Sequence, residues 1–280
     1  MAGSESTTGQ VFHLHLVSDS TGETIHSVAR ACLVQFDHVD PVEHAWPMAR
    51  TQHAMDVVLD GIKEKPGPVM FTLVDDGLRD QLRTGCRRLK VPCISVLDPV
   101  IAAFGKFLHA QPQHRIGGQH EMDDEYFQRI EAMDWALAHD DGQRAEEYDQ
   151  SDVVLVGVSR TSKTPTCLYL ANRGVKAVNV PYVPGIPLPE SIDRIEKALV
   201  IGLTNDPKRL VELRRARLAL LQQDGETPYI DPERVRAEIT EARRYFTERK
   251  WPVIDVTRRS IEETAAAVMA QLARHAEASE

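Results

Sequence analysis

The segment DVVLVGVSRTSKTPTCLYLANRG, residues 152–174, contains a strand, a turn and the start of a helix in one continuous run. The apolar residues 153–156 are typical of a central strand in a parallel sheet, because both faces of such a strand are buried. Gly157 ends the strand, Pro165 fits the first turn of the helix that follows, and Gly174 ends that helix. The segment therefore predicts a strand–loop–helix unit of an α/β domain.

The loop of this unit, GVSRTSKT, differs at one position from the phosphate-loop pattern G-x-x-x-x-G-K-[ST]. Backbone N–H groups of such a loop bind phosphate; here Lys163 would reach the outer phosphates and Thr164 would bind Mg²⁺. Ser162 replaces the second glycine of the pattern, and its Cβ costs about 1 kcal/mol if the residue has a positive φ. The candidate nucleotide-binding residues are Gly157, Val158, Ser159, Arg160, Thr161, Ser162, Lys163 and Thr164.

A second candidate is the sequence HDDG, residues 139–142, which follows a predicted amphipathic helix and precedes the central strand. This cluster is close enough in sequence to fold back over the loop. Asp140 or Asp141 would then hold Mg²⁺ or accept a hydroxyl proton during phosphoryl transfer. The pattern alone leaves plainer alternatives open, namely an ordinary polar turn at residues 139–142 and a strand–turn–helix with a solvent-facing Lys163.

The composition is that of a globular chain: 42% of its 280 residues are hydrophobic, 27% are charged, and the net charge is -9. The acidic balance argues against a general nucleic-acid binder. The four cysteines form no C-x-x-C pair, and no apolar run approaches the roughly 20 residues that span a bilayer. The polar first ten residues lack the features of a secretory signal and read as a loose tail. We therefore expect a cytoplasmic protein that binds neither nucleic acid nor membrane.

Strand and helix patterns alternate on both sides of a proline- and glycine-containing linker at residues 111–119. They predict two α/β domains with mainly parallel sheets, an N-terminal domain over residues 1–112 and a C-terminal nucleotide-binding kinase domain over residues 113–280. The second domain is expected to begin with a helix from about Asp123 to His139. Asp206 is a candidate outer partner of Mg²⁺ or the cap of a helix. Basic residues on the later helices are expected on solvated faces: Arg214, Arg215, Arg217, Arg243 and Arg244.

The first predicted strand runs into the hydroxyl-rich sequence SDSTGET, residues 18–24. Its hydroxyl groups suit contact with a phosphate at a helix N-terminus, but Ser, Thr and Asp are also the usual residues that cap a helix. Asp19 supplies the carboxylate of this loop.

Together SDSTGET, HDDG, GVSRTSKTPTCLYLANRG and GLTNDPKRL resemble the bifunctional regulatory proteins of pyruvate, phosphate dikinase and phosphoenolpyruvate synthase. The motifs occur in the order of that family and extend over nearly the whole chain. The resemblance implies a serine/threonine kinase that transfers phosphate from ADP to a threonine of the dikinase and leaves AMP. It also implies the reverse function, in which inorganic phosphate attacks the phosphothreonine and releases pyrophosphate.

The resemblance assigns the nucleotide loop to residues 157–164, with Lys163 and Thr164 as the phosphate and magnesium contacts. Asp140 or Asp141 is then expected to accept the threonine proton, with Asp19 as a further candidate. The motifs favour the dikinase over the synthase as partner, and a homo-oligomer is expected. Two alternatives remain at this point, a small-molecule kinase that uses the same loop and a nucleotide-sensing regulator without catalysis.

Overall fold

A computed structural model of the protein describes residues 10–113, 124–222 and 227–279. The chain divides into two compact units, residues 1–121 and 122–280. The predicted domain boundary, between residues 112 and 113, lies next to residues 114–123, which are outside the described residues. The predicted helix start at Asp123 and most of the polar tail are also outside them. Each unit contains four parallel strands in its described part, so the predicted α/β class with parallel sheets is confirmed.

The N-terminal unit alternates strands and helices, and its sheet has the strand order β2-β1-β3-β4. Its elements are β1 (Gln10–Ser18), α1 (Glu23–Leu33), β2 (Val39–Trp46), α2 (Gln52–Glu64), β3 (Val69–Thr72), α3 (Asp76–Leu89), β4 (Cys93–Ser95) and α4 (Asp98–Leu108). The residues of β3 are all buried, as expected of an inner parallel strand.

The loop after β1 joins the ends of two strands in the N-terminal unit. The Asp19 carboxylate is buried and accepts a hydrogen bond of 2.7 Å from the backbone N–H of Val74, just beyond β3. Burial raises the pKa of this carboxyl, although the hydrogen bond opposes the change. Helix α1 has Gly22 at its N-cap, with a φ of 87° and no side-chain cap bond. The interpretation in which a Ser, Thr or Asp side chain of residues 18–24 caps the N-terminus of α1 is therefore wrong.

The C-terminal unit has the strand order β6-β5-β7-β8, again with parallel pairing throughout its described part. Its elements are α5 (Asp124–Ala138), β5 (Val153–Gly157), α6 (Lys163–Ala171), β6 (Ala177–Pro181), β7 (Leu199–Thr204), α7 (Pro207–Leu220), α8 (Pro232–Glu248), β8 (Val253–Asp255) and α9 (Ile261–Ser279). Short 3-10 segments lie at Asp140–Gly142, Ala145–Gln150, Glu190–Arg194 and Pro228–Ile230.

Strand β5 is the centre of the C-terminal unit, and all five of its residues are buried. Val154 and Val156 pack into a cluster with α7 and α8, whereas Val153 and Leu155 pack on the opposite face with α6 and α9. Full burial of such a side chain contributes about 1.5–3 kcal/mol. Because β6 and β7 flank β5 on opposite sides, the loop after β5 lies where the strand order reverses, the usual ligand position in open α/β sheets.

Candidate active site

The loop after β5 contains two residues with positive φ, one of them at the position of the missing glycine. Ser162 is the N-cap of α6 and has a φ of 60° and a ψ of 24°, which is the left-handed conformation that the missing glycine would adopt without strain. Arg160 is also left-handed, with a φ of 72°. Ser162 therefore has the positive φ at which a Cβ costs about 1 kcal/mol.

Gly157 is required by close packing at the start of this loop. A Cβ there would lie 2.7 Å from Oγ1 of Thr161 and 2.8 Å from the carbonyl oxygen of Leu203 on β7. Thr161 in turn donates a hydrogen bond of 2.9 Å to the carbonyl of Val158. The loop is thus folded tightly against the ends of β5 and β7.

Lys163 faces its own loop and not the solvent. Its side chain is 7% exposed, and Nζ donates a hydrogen bond of 3.1 Å to the carbonyl of Val158. Burial lowers the pKa of Lys163 to about 8, and the negative charges of Asp141 and Asp140 limit that decrease. The interpretation of Lys163 as a solvent-facing residue is therefore wrong. A phosphate bound in the loop would favour the protonated amine, because an opposite charge nearby raises a lysine pKa.

The carboxylate of Asp140 lies directly against the start of α6. Its Oδ1 accepts hydrogen bonds from Oγ1 of Thr164 at 3.0 Å and from Nδ2 of Asn179 at 2.6 Å. Asn179 also donates to Oγ1 of Thr164 at 2.8 Å, and its nitrogen lies 3.3 Å from Oδ1 of Asp141. The HDDG cluster is therefore a turn in which Asp140 contacts Thr164 at the end of the loop, and both carboxylates contact Asn179.

Asn179 is the residue of this site that sequence reasoning missed. It lies on β6, is 2% exposed, and its Oδ1 has no hydrogen-bond partner among the described residues. A polar residue in the otherwise apolar strand AVNVP was the available signal, because a buried amide needs partners and marks a polar centre.

Local packing orients the two aspartates. His139 is buried, lies 4.0 Å from the ring of Trp135 between centroids, and uses its two ring nitrogens to contact the Trp135 carbonyl at 2.8 Å and Glu147 at 3.1 Å. Asp141 and Gly142 follow with φ values of 51° and 81°, which turn the chain sharply. Asp141 is left exposed while Asp140 is half-buried.

Thr164 and Asp140 together suit one side of a magnesium site. Mg²⁺ is bound in phosphate-transfer sites by one or two oxygen ligands of the protein, together with water and substrate phosphates. Among the described residues no group of three or more histidines, cysteines or carboxylates could hold a metal alone. The donor set therefore fits a metal that arrives with a nucleotide.

Asp206 does not point to this centre. Its carboxylate accepts hydrogen bonds from the N–H groups of Lys208 and Arg209 at 2.9 and 3.1 Å, so it caps α7. Of the two roles that the sequence allowed for Asp206, an outer partner of Mg²⁺ or a helix cap, the observed contacts are those of a helix cap.

The fold places the protein among the open parallel α/β proteins, in which ligands usually bind at the carboxyl edge of the sheet. Residues 14–269 match the family model described as Kinase/pyrophosphorylase, and the chain belongs to that family. The resemblance found in the motifs is therefore confirmed.

Several relatives carry the name "Putative pyruvate, phosphate dikinase regulatory protein", and three of them illustrate the similarity. The protein of Paramagnetospirillum magneticum is 55% identical over 95% of this chain and 86% of its own length. The protein of Caulobacter vibrioides is 53% identical over 92% of this chain and 82% of its own length. The protein of Rhodospirillum rubrum is 49% identical over 94% of this chain and 96% of its own length.

None of the helices in the described part of the chain is long and apolar enough to cross a membrane.

Proposed function

We propose that the protein transfers the β-phosphoryl group of ADP to a threonine of pyruvate, phosphate dikinase and removes it again by phosphorolysis. The observation that carries this proposal is the contact of Asp140 with Thr164 and Asn179 at the end of a lysine-bearing loop. The family description, kinase and pyrophosphorylase, supports a pair of opposed phosphoryl transfers. The names of the relatives support the dikinase as the acceptor.

The residues of the loop would bind the diphosphate of ADP. The N–H groups of residues 157–164 and the N-terminus of α6 supply donors for phosphate oxygens, and the buried Lys163 neutralises charge on the group that is transferred. Mg²⁺, held through Thr164 and Asp140, would supply further charge neutralisation when the nucleotide is bound.

The two aspartates have different roles in this proposal. Asp140 already accepts two hydrogen bonds and orients Thr164, whereas Asp141 is exposed and, within the described part of the chain, has a single long contact with Asn179. Asp141 is therefore the better proton acceptor. In the forward reaction the threonine oxygen bonds to the β-phosphorus, the bond from that phosphorus to the bridging oxygen breaks, AMP leaves, and the threonine proton passes to Asp141.

In the reverse function an oxygen of inorganic phosphate bonds to the phosphorus of phosphothreonine. The bond to the threonine oxygen breaks, pyrophosphate leaves, and the threonine oxygen takes up a proton from Asp141. No strong base is needed to activate the attacking phosphate, because it is already an anion. One site would thus serve both directions.

The test is incubation of the protein and ADP labelled in its β-phosphate with purified dikinase and, in a separate reaction, with purified phosphoenolpyruvate synthase, followed by mass spectrometry of the acceptor peptides. Label on a dikinase threonine, with pyrophosphate formed from the phosphorylated product and inorganic phosphate, is the expected result. Label that appears only on phosphoenolpyruvate synthase would change the partner, and label on a small molecule would make the protein a small-molecule kinase. ADP binding without any transfer would support the nucleotide-sensing regulator and contradict the proposed chemistry.

A further inference from the structure

Arg214 on α7 is buried beneath the phosphate loop. Its side chain is 2% exposed, which contradicts the solvated face predicted for this part of the helix. Its guanidinium forms a bidentate ion pair with Glu238 of α8, in which both nitrogen–oxygen distances are 2.8 Å. The pair thus connects two helices through a charge held away from water.

The same guanidinium reaches the loop. One nitrogen donates to the carbonyl of Ser159 at 3.3 Å, and another donates to the carbonyl of Tyr229 at 3.1 Å. The Tyr229 ring lies 4.5 Å from the guanidinium carbon, and its hydroxyl lies 3.0 Å from Oγ of Ser159. Ser159 is therefore held by both its backbone and its side chain.

Stability alone is a poor explanation for this arrangement. Apolar residues of similar volume often replace a buried ion pair with no loss of stability, because removing charges from water is costly. The Nε atom of Arg214 also has no hydrogen-bond partner among the described residues, which adds to that cost. The ion pair is better explained by its effect on the conformation of the loop at Ser159.

The contact fixes the direction of one loop peptide. Because a trans peptide is planar, a Ser159 carbonyl that points to Arg214 makes the N–H of Arg160 point the opposite way. Arg160 and Ser162 have the left-handed conformation found where successive N–H groups form a concave anion site. If the peptide between residues 159 and 160 were reversed, a carbonyl oxygen would replace that donor and repel a phosphate.

We propose that Arg214 and Glu238 are positioning residues that hold the Ser159 peptide in the orientation that binds nucleotide phosphate. This inference rests on the proposed function, because it assumes that the loop binds ADP. Tyr229 assists through its bond to the Ser159 hydroxyl. Lysine at position 214 would not replace arginine, because an ammonium group cannot make the planar bidentate contact with Glu238 and also reach the Ser159 carbonyl.

The test is the double variant Arg214→Met/Glu238→Leu, which removes both charges together. Its matched control is Arg209→Met/Glu212→Leu, an exposed pair on the same helix with a nitrogen–oxygen distance of 2.9 Å. Each protein is assayed for its Tm and for its dissociation constants with ADP and with pyrophosphate. We expect the Arg214/Glu238 variant to keep its Tm and to bind both ligands more weakly by roughly tenfold to a hundredfold, because the loop loses one hydrogen bond to a charged phosphate. The control is expected to bind as wild type does.

A second variant, Tyr229→Phe, covers the case in which the double variant fails to fold. It removes one neutral hydrogen bond, and we expect an affinity loss of about three- to tenfold with only a small decrease in Tm. Unchanged affinities in the variants that fold would overturn the positioning role while leaving the proposed function intact. A wild-type protein that binds neither ADP nor pyrophosphate would overturn both.

Discussion

Replacement of Lys163 by methionine is expected to stabilise the C-terminal unit while it abolishes ADP binding. Burial lowers the pKa of Lys163 from 10.5 to about 8, so the charged amine is less favourable in the folded chain than in the unfolded one. At roughly 1.4 kcal/mol for each pH unit, this difference makes the charge cost roughly 3 kcal/mol of stability at neutral pH.

Methionine has a similar length and no charge, so most of that cost should disappear. The Val158 carbonyl would lose one hydrogen bond, but it still accepts a bond from Thr161 and is not left without a partner. Some packing is lost as well. We therefore expect Lys163→Met to raise the free energy of unfolding by about 1–3 kcal/mol near pH 7.

The sign of the pH dependence follows from proton binding. Between about pH 8 and pH 10.5 the unfolded chain binds more protons at Lys163 than the folded chain does, so this residue makes wild-type stability rise with pH. The advantage of the methionine variant should therefore be largest below pH 8 and shrink as the pH approaches 10.

Urea unfolding at several pH values measures this effect. The chain has three tryptophans, and a Trp46→Phe background leaves only Trp135 and Trp251, which both report on the C-terminal unit. A methionine variant that is less stable than wild type near pH 7, or a stability difference that stays constant from about pH 7 to pH 10, would refute the reasoning.

Three further predictions concern the polar centre of the site. Asn179→Ala should lower the rate of phosphoryl transfer by roughly tenfold to a hundredfold, because Thr164 and Asp140 lose the amide that donates a hydrogen bond to both. The control Asn172→Ala should leave the rate unchanged, and single-turnover kinetics compares the two variants. Asp141→Asn should slow both the ADP reaction and phosphorolysis by roughly 10²–10⁴, with ADP affinity kept, because Asp141 takes up the threonine proton in one direction and returns it in the other; an unchanged rate in either direction would argue against this role. Ser162→Gly should raise Tm slightly by removing about 1 kcal/mol of left-handed strain, and thermal unfolding of the two proteins compares them.

The central strand and its loop were predictable because the signals are local. Burial on both faces of β5, the turn at Gly157 and the start of α6 are all encoded within a few residues. The missing glycine of the pattern marked residue 162 as the position where a positive φ would matter, and Ser162 has one. The proximity of Asp140 was also predictable in outline, because a short segment connects it to β5.

The other contacts depend on tertiary structure. Asn179 reaches Asp140 only because β6 pairs with β5 in a register that sets Asn179 beside Leu155, and no local pattern defines that register. Arg214 has the same local signature as its exposed neighbours on α7. Its burial becomes apparent only when α8 supplies Glu238 and the loop supplies the Ser159 carbonyl.

The most direct test of the proposed chemistry is the ratio of AMP released to phosphothreonine formed when the protein, ADP and purified dikinase react. We predict one AMP for each phosphothreonine with the wild-type protein, and neither product with Lys163→Met. Phosphothreonine formed without AMP, or equal yields from the Lys163→Met variant, would contradict ADP-dependent transfer at this loop.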